Sequence, residues 1–394
     1  MGIGLPLAGH RTNRNTRVGA RRAMTRTKSS TSRSTQTLEA VVVDDSQFMR
    51  TVIGGMLEEE GIAVVEAASD GGAGVDAVKK HEPDVVTMDL KMPDVDGIEA
   101  VDRIMTECPT PVLVLSAHAA DGAELTFEAM DRGAVDFFEK PSGEVSVGIK
   151  QQKDALLSKV RSVASADIAA AGAAANKTST ETTAAQTPTT PARSETEYPD
   201  RPTLIIGSST GGPTVVEGVL SELPLEADFR VIVVQHMPDG FTGRFAKRLD
   251  EASDYSVREA VDGDRIGGGE ALVAKGGKHL EVSGYGGGRI RVSLTEDEPV
   301  NNVRPAVDVT LRTAAERIDG PLTVAILTGM GADGADGIKD VCDAGGAILA
   351  QDEETSAVFG MPQRAIETGT VDDVRPRGEL VSGILNATTT QESR

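Results

Sequence analysis

No apolar run in these 394 residues reaches the roughly 18 that a membrane-crossing helix requires, so direct insertion into a bilayer is excluded from the reading. The arginine-rich beginning has no apolar h-region, which argues against a secretory leader. Arg21-Arg22 is a poor twin-arginine signal for the same reason. Cysteine is almost missing. Cys108 and Cys342 lie far apart, match no metal-ligand spacing, and read as small buried hydrophobes of a reducing compartment. A cytoplasmic protein is expected.

Positive charge is also scarce beyond the start. The net charge is -21, yet residues 1–38 hold seven Arg, one Lys and no acid, leaving about -29 for the remainder. Such a body repels nucleic acid and anionic membrane. It suits a salt-adapted proteome, because carboxylates stay hydrated while bulk salt screens their repulsion. Arg outnumbers Lys, which a GC-rich genome would equally produce.

Residues 1–37, rich in Arg, Thr and Ser without apolar periodicity, are expected to be a disordered basic tail, with Met24 an alternative start. From Leu38 short apolar runs alternate with amphipathic stretches. The runs are Leu38–Val43, Ala63–Glu66, Val85–Asp89, Val112–Ser116 and Val135–Phe138, with helical spacing in Phe48–Glu59 and Gly97–Glu107. Five β-α units in 38–155 predict a parallel sheet covered by helices on both faces. Residues 156–200 are expected to be a flexible linker. Their composition from 162 onward, Ala, Thr, Ser, Gln and Pro, cannot bury enough surface to offset ordering entropy. A second α/β pattern fills 201–390. Its strand-like runs are Leu204–Ile206, Val231–Val234, Ala271–Ala274, Ile290–Leu294, Val324–Leu327 and Ala347–Ala350. Consecutive strands with Gly-rich turns are expected within Glu270–Leu294. The prediction is a doubly wound, mostly parallel sheet with an antiparallel excursion.

In the first domain Asp44 and Asp45 follow strand one, Asp89 follows strand three, Ser116 closes strand four and Lys140 follows strand five. Carboxyl ends of parallel strands form the ligand crevice of an open sheet. Three carboxylates converging there repel one another unless a hard cation such as Mg²⁺ joins them. Phosphoryl transfer onto a carboxylate is the chemistry this permits, with Lys140 and a metal neutralising the phosphoryl oxygens and Ser116 hydrogen-bonding the new group. The segments VVVDDSQFMR, DLKMPDVDG, VLSA and FFEKP resemble the signature segments of two-component response-regulator receivers. That resemblance implies a flavodoxin-like fold, Asp89 as phospho-acceptor, and a Mg²⁺ site of Asp44, Asp45 and Asp89. It also implies Ser116 and Lys140 as the phosphate-sensing pair and Phe137 as the aromatic that reorients on activation.

The second domain opens with TLIIGSSTGGP, in which Gly207 to Gly211 fits G-x-S-x-G, a strand-to-helix turn exposing Ser209. A phosphate-binding glycine loop is the competing reading, and the motif alone does not separate the two. His236 follows another apolar run in VIVVQHMPDGFT, and Asp333 follows a third in AILTGMGADG, with Asp336 a nearby rival. Hydroxyl, imidazole and carboxylate at three strand ends are the minimum set for an activated serine. The chain order Ser, His, Asp differs from that of α/β-hydrolases.

Together IGSSTGGP, QHMPDGFTGRFAKRLD, VREAVDGD, AKGGKHL, NNVRPAVDVTL, LTGMGADG and EETSAVFGMPQRA resemble the protein-glutamate methylesterases of bacterial and archaeal chemotaxis, over residues 38–150 and 201–385. The acidic composition suggests a salt-adapted archaeal member. The resemblance implies Ser209 as nucleophile, His236 as base, Asp333 as its orienting acid and the Met330 N–H in an oxyanion hole, with no cofactor for the esterase step. It implies methyl-accepting chemoreceptors as substrate and a chemotaxis histidine kinase as phosphodonor, and it leaves deamidation of receptor glutamines open as a second activity. Ala306-Val307-Asp308-Val309-Thr310-Leu311 departs from the expected pattern, where Ser and a terminal Phe would stand. Three rivals remain: a DNA-binding regulator, disfavoured by the absence of a basic patch; a nucleotide-binding regulator built on GSSTGG; and a catalytically dead adaptor.

Overall fold

The computed structural model describes residues 1, 37–93, 95–117, 120–140, 152–168 and 201–391. Expectations for the basic tail and for most of the linker therefore lie outside the described residues. The described residues from Thr37 onward belong to one compact unit.

The first α/β layer set runs β1 (Glu39–Val43), α1 (Gln47–Glu59), β2 (Ala63–Ala68), α2 (Gly71–His81), β3 (Val85–Asp89), α3 (Gly97–Glu107), β4 (Val112–Ala117), α4 (Ala120–Asp131), β5 (Asp136–Lys140) and α5 (Lys153–Ala164). Ser46, Asp70 and Asp96 begin α1, α2 and α3, and each side chain accepts the N–H three residues on. All five strands are parallel, in the order β2-β1-β3-β4-β5. The C-terminal ends of β1, β3 and β5 therefore open on one edge. α5 runs past the boundary expected at 155. Leu156, Leu157, Val160 and Val163 recur at helical spacing and are buried in the same cluster as β1 and α1.

The second set runs β6 (Thr203–Ser208), α6 (Gly212–Glu222), β7 (Arg230–Gln235), α7 (Thr242–Ala252), β8 (Ser256–Glu259), β9 (Arg265–Ile266), β10 (Glu270–Val273), β11 (His279–Gly286) and β12 (Arg289–Thr295). It continues with α8 (Val307–Arg317), β13 (Leu322–Ile326), α9 (Gly337–Asp343), β14 (Ala347–Gln351), α10 (Met361–Glu367), β15 (Asp373–Arg375) and α11 (Leu380–Gln391). Seven parallel strands form one sheet, β15-β14-β13-β6-β7-β10-β8, and β11, β12 and β9 form the antiparallel excursion. β6, β7 and β13 are buried end to end, as two-sided coverage demands. Cys342 is exposed and Cys108 half-buried, against the expectation of two buried thiols. On α9 it is the neighbouring Val341 that takes the core position.

Candidate active site

β6 lies between β13 and β7 in the second sheet, so the turn after it sits at the centre of the C-terminal edge. Ser209 begins that turn. Its N–H donates to the Thr328 carbonyl at 3.1 Å, and its own carbonyl accepts from Gly212 N–H at 2.9 Å and from Gln235 Nε2 at 2.8 Å. Gly211 closes the turn at φ 74°, where a Cβ would also lie 2.6 Å from that of Ala357. Only glycine meets both demands. α6 then starts with Pro213 in its first turn, its N-terminus behind the serine.

The neighbouring hydroxyl, Ser208, is fully buried and donates to Gln235 Oε1 at 2.6 Å. Gln235 thus grips both serines, one by side chain and one by backbone. It stood in the QHMP segment but carries no titratable signal, which is why sequence reasoning passed over it.

Ser208 and Gln235 are in register across β6 and β7, and His236 N–H donates to the Ser208 carbonyl at 3.0 Å. That brings the backbones of Ser209 and His236 side by side. His236 Nε2 pairs with Asp333 Oδ2 at 2.8 Å, so Nδ1 is the ring nitrogen that this carboxylate does not engage. Asp333 is almost wholly buried. Burial pushes its carboxyl up, but hydrogen bonds from His236, Val307 N–H and Asn301 more than reverse this and hold it below the ordinary value. The rival Asp336 is exposed and bonded to Lys339 at 2.8 Å.

Met330 follows Gly329, which packs directly on Ser209. A Cβ at Gly329 would meet Ser209 Cβ at 2.8 Å and Met361 Sδ at 2.6 Å. The Met330 backbone is thereby held beside the candidate nucleophile while its side chain is exposed.

In the first sheet Asp44, Asp45 and Asp89 each offer a carboxylate oxygen, all within 4.8 Å of one another. Lys140 Nζ bridges two of them, at 2.8 Å to Asp44 and 3.0 Å to Asp89. Burial raises the Asp89 carboxyl above its ordinary value against the opposing pull of Lys140. Ser116 Oγ donates to the Gly122 carbonyl at 3.2 Å and accepts from Thr126 Oγ1 at 2.7 Å, so it is turned toward α4. Phe137 is buried, its ring centroid 4.4 Å from that of Phe241.

That last contact joins the two sheets. Asp136, at the start of β5, accepts from Thr210 Oγ1 at 2.7 Å and from Lys159 at 2.5 Å, so the receiver-like half touches the residue after Ser209. Phe127 stacks on Phe245 at 6.0 Å. Arg248 bridges Asp131 of α4 and Glu217 of α6; burial opposes its charge, but the two carboxylates raise its pKa above the ordinary value. α5 reaches the same edge, with Ser158 Oγ 3.5 Å from Met330 Sδ.

A phosphoacceptor-type sheet on the same chain as a hydrolase-type sheet defines a response regulator with an enzymatic output. Residues 40–147 match the response regulator receiver domain, and residues 204–384 match the CheB methylesterase family. A protein-glutamate methylesterase/protein-glutamine glutaminase from Natronomonas pharaonis is 75% identical over 89% of this chain and 97% of its own length. Its namesake from Halobacterium salinarum is 54% identical over 89% and 98%. The crystal structure of the Thermotoga maritima CheB methylesterase catalytic domain is 41% identical, covering 48% of this chain and 98% of its own, with a TM-score of 0.46. The chain belongs to the protein-glutamate methylesterase/protein-glutamine glutaminase family. Halophilic archaea among its relatives accord with the acidic composition. No described helix is long and apolar enough to cross a membrane.

Proposed function

We propose that Ser209, His236 and Asp333 hydrolyse γ-glutamyl methyl esters on chemoreceptors, and that phosphorylation of Asp89 controls the reaction, providing sensory adaptation. The observation that carries this is the buried His236–Asp333 pair at 2.8 Å, set beside the Ser209 turn. His236 Nδ1 takes the Ser209 proton as Oγ bonds to the ester carbonyl carbon. The Met330 N–H and the α6 N-terminus face the oxyanion that forms. As the tetrahedral species collapses, the imidazolium returns its proton to the departing methoxide and methanol leaves. Water then adds to the acyl-enzyme, with His236 again as base, and glutamate and Ser209 are released. Asp333 remains ionised throughout, consistent with its lowered pKa. A glutamine side chain offers the same acyl carbon with ammonia as leaving group, so deamidation is the second activity of the same residues.

On the receiver side, three clustered carboxylates against one lysine suit a hard divalent cation, which would be held by Asp44, Asp45 and Asp89. Mg²⁺ there would neutralise phosphoryl oxygen charge. Lys140 and Ser116 are the protein groups that meet the phosphoryl, with a chemotaxis histidine kinase as donor. The receiver takes 38–155 with α5 running on to Ala164, the linker lies within 156–200 and the catalytic domain takes 201–390, in a cytoplasmic enzyme. Contacts from Asp136, Phe137 and α5 to the Ser209 edge support occlusion of the site by the unphosphorylated receiver. The test is methanol release from methylated receptors, with and without a small-molecule phosphodonor. Release that is serine-dependent and stimulated by the donor is expected. No release from either sample would overturn the reading.

A further inference from the structure

Behind Asp333 lies a second buried carboxylate. Asp308, in the first turn of α8, is 2% exposed, and neither of its oxygens reaches water freely. Oδ1 accepts from Gly337 N–H at 2.7 Å and Oδ2 from Asn301 Nδ2 at 2.8 Å. The same Asn301 Nδ2 donates to Asp333 Oδ1 at 3.0 Å, so its two hydrogens span the two carboxylates. Asp308 also supplies its backbone N–H to Asp333 at 3.2 Å, next to the Val307 N–H. Asn301 and Asn302 stand at φ 54° and 62°, a left-handed pair of non-glycine residues that costs backbone energy.

We propose that Asn301 and Asp308 are positioning residues for the triad: the Asn301 carboxamide clamps Asp333 in line with His236, and the Asp308 charge stabilises the imidazolium. The inference rests on Asp333 being the acid of the triad. Three observations carry it beyond packing. Both partners of Asp308 are N–H donors, which satisfy a carboxylate and offer no acceptor for a carboxylic proton. Two buried carboxylates sharing one neutral amide is an arrangement that disfavours folding unless a cation answers it. Among the described residues the nearby cations pair with other carboxylates, Lys339 with Asp336 and Arg312 with Asp340, and Lys339 reaches Asp308 only through space, while His279 bonds Ala306 N–H and the Glu298 carbonyl. The imidazolium formed on His236 is the charge that lies on this line. Burial, reinforced by Asp333, pushes the Asp308 carboxyl above its ordinary value, as a charge kept at a cost would show.

Two substitutions in the full-length chain separate clamp from charge. Asp308→Asn removes the negative charge and sets an NH₂ against either the Asn301 amide NH₂ or the Gly337 N–H, neither of which can accept from it. Asn301→Gly removes the carboxamide, keeps the charge, and tolerates the left-handed backbone. Both should lower kcat for methanol release roughly 10- to 100-fold with KM little changed, because a misplaced catalytic group costs rate on that order. Asp308→Asn alone should move the acid limb of the pH–rate profile to lower pH, since the imidazolium loses an anion. Asn301→Gly should melt lower, because two buried carboxylates lose their shared donor, whereas Asp308→Asn should melt near wild type, so kcat is compared per folded enzyme. Unchanged kcat and acid limb in Asp308→Asn would overturn the inference. So would activity that falls only in proportion to the folded fraction. Asp333→Asn is measured in parallel: if it stays active the triad assignment itself fails, whereas an inactive Asp333→Asn beside a wild-type-like Asp308→Asn sinks this inference alone.

Discussion

Ser208 and Ser209 are neighbours in sequence but differ in what their hydroxyls are committed to. Ser208 is buried and spends its proton on Gln235, whereas Ser209 is held by its backbone alone, leaving Oγ at the sheet edge. Ser209→Ala should therefore abolish methanol release, and His236→Ala should do nearly the same. The double variant should be scarcely worse than either single, because triad members act as a unit. Activity above a few per cent in Ser209→Ala would place the nucleophile elsewhere. The residues meeting at this edge were legible because each follows an apolar run and carries a reactive group. Gln235, Asn301 and Asp308 were not. Their roles arise from hydrogen bonds between segments up to 32 positions apart, which no local pattern encodes.

At the scale of elements, α7 does two jobs. The loop from β7 that carries His236 leads straight into it, and its Phe245 and Arg248, with Phe241 just before it, receive α4 and β5 of the receiver. Asp131 and Glu124 lie at the exposed rim of that contact, pairing with Arg248 and Arg244. Charge reversal there should loosen docking without touching either core. Asp131→Lys, alone or with Glu124→Lys, should raise basal methanol release several-fold in the absence of phosphodonor, and a rate equal to wild type would refute occlusion through this face. The alternation of apolar runs with helical spacing made most of the parallel strands, and helices such as α1 and α3, readable. β8, β9 and β15 escaped because they have only four, two and three residues. The boundary at 155 falls inside α5 because the helix ends in Arg161, Ser162, Val163 and Ala164, a composition that merges into the linker until its partners in the first sheet are known.

For the whole molecule the governing quantity is charge. About 29 excess negative charges beyond residue 38 repel one another at low ionic strength, when the screening length is about 10 Å at 0.1 M and falls to about 3 Å at 1 M. The melting temperature should therefore climb steeply with salt, and a flat profile in calorimetry from 0.1 M upward would remove self-repulsion from the account. Receiver docking should respond differently. Its ionic rim weakens as salt rises, but its centre is the Phe137–Phe241 and Phe127–Phe245 ring contacts, which salt leaves intact or strengthens. Basal activity of the folded enzyme should consequently remain suppressed at high salt and still be released by a phosphodonor. Asp89→Asn should keep the chain at its basal rate under both conditions, because the carboxylate proposed to accept the phosphoryl is gone while the docking face is untouched. If basal activity of wild type instead rises with salt to the phosphodonor-stimulated level, docking is ionic and the aromatic centre contributes little. If Asp89→Asn still answers the donor, control resides outside the receiver crevice.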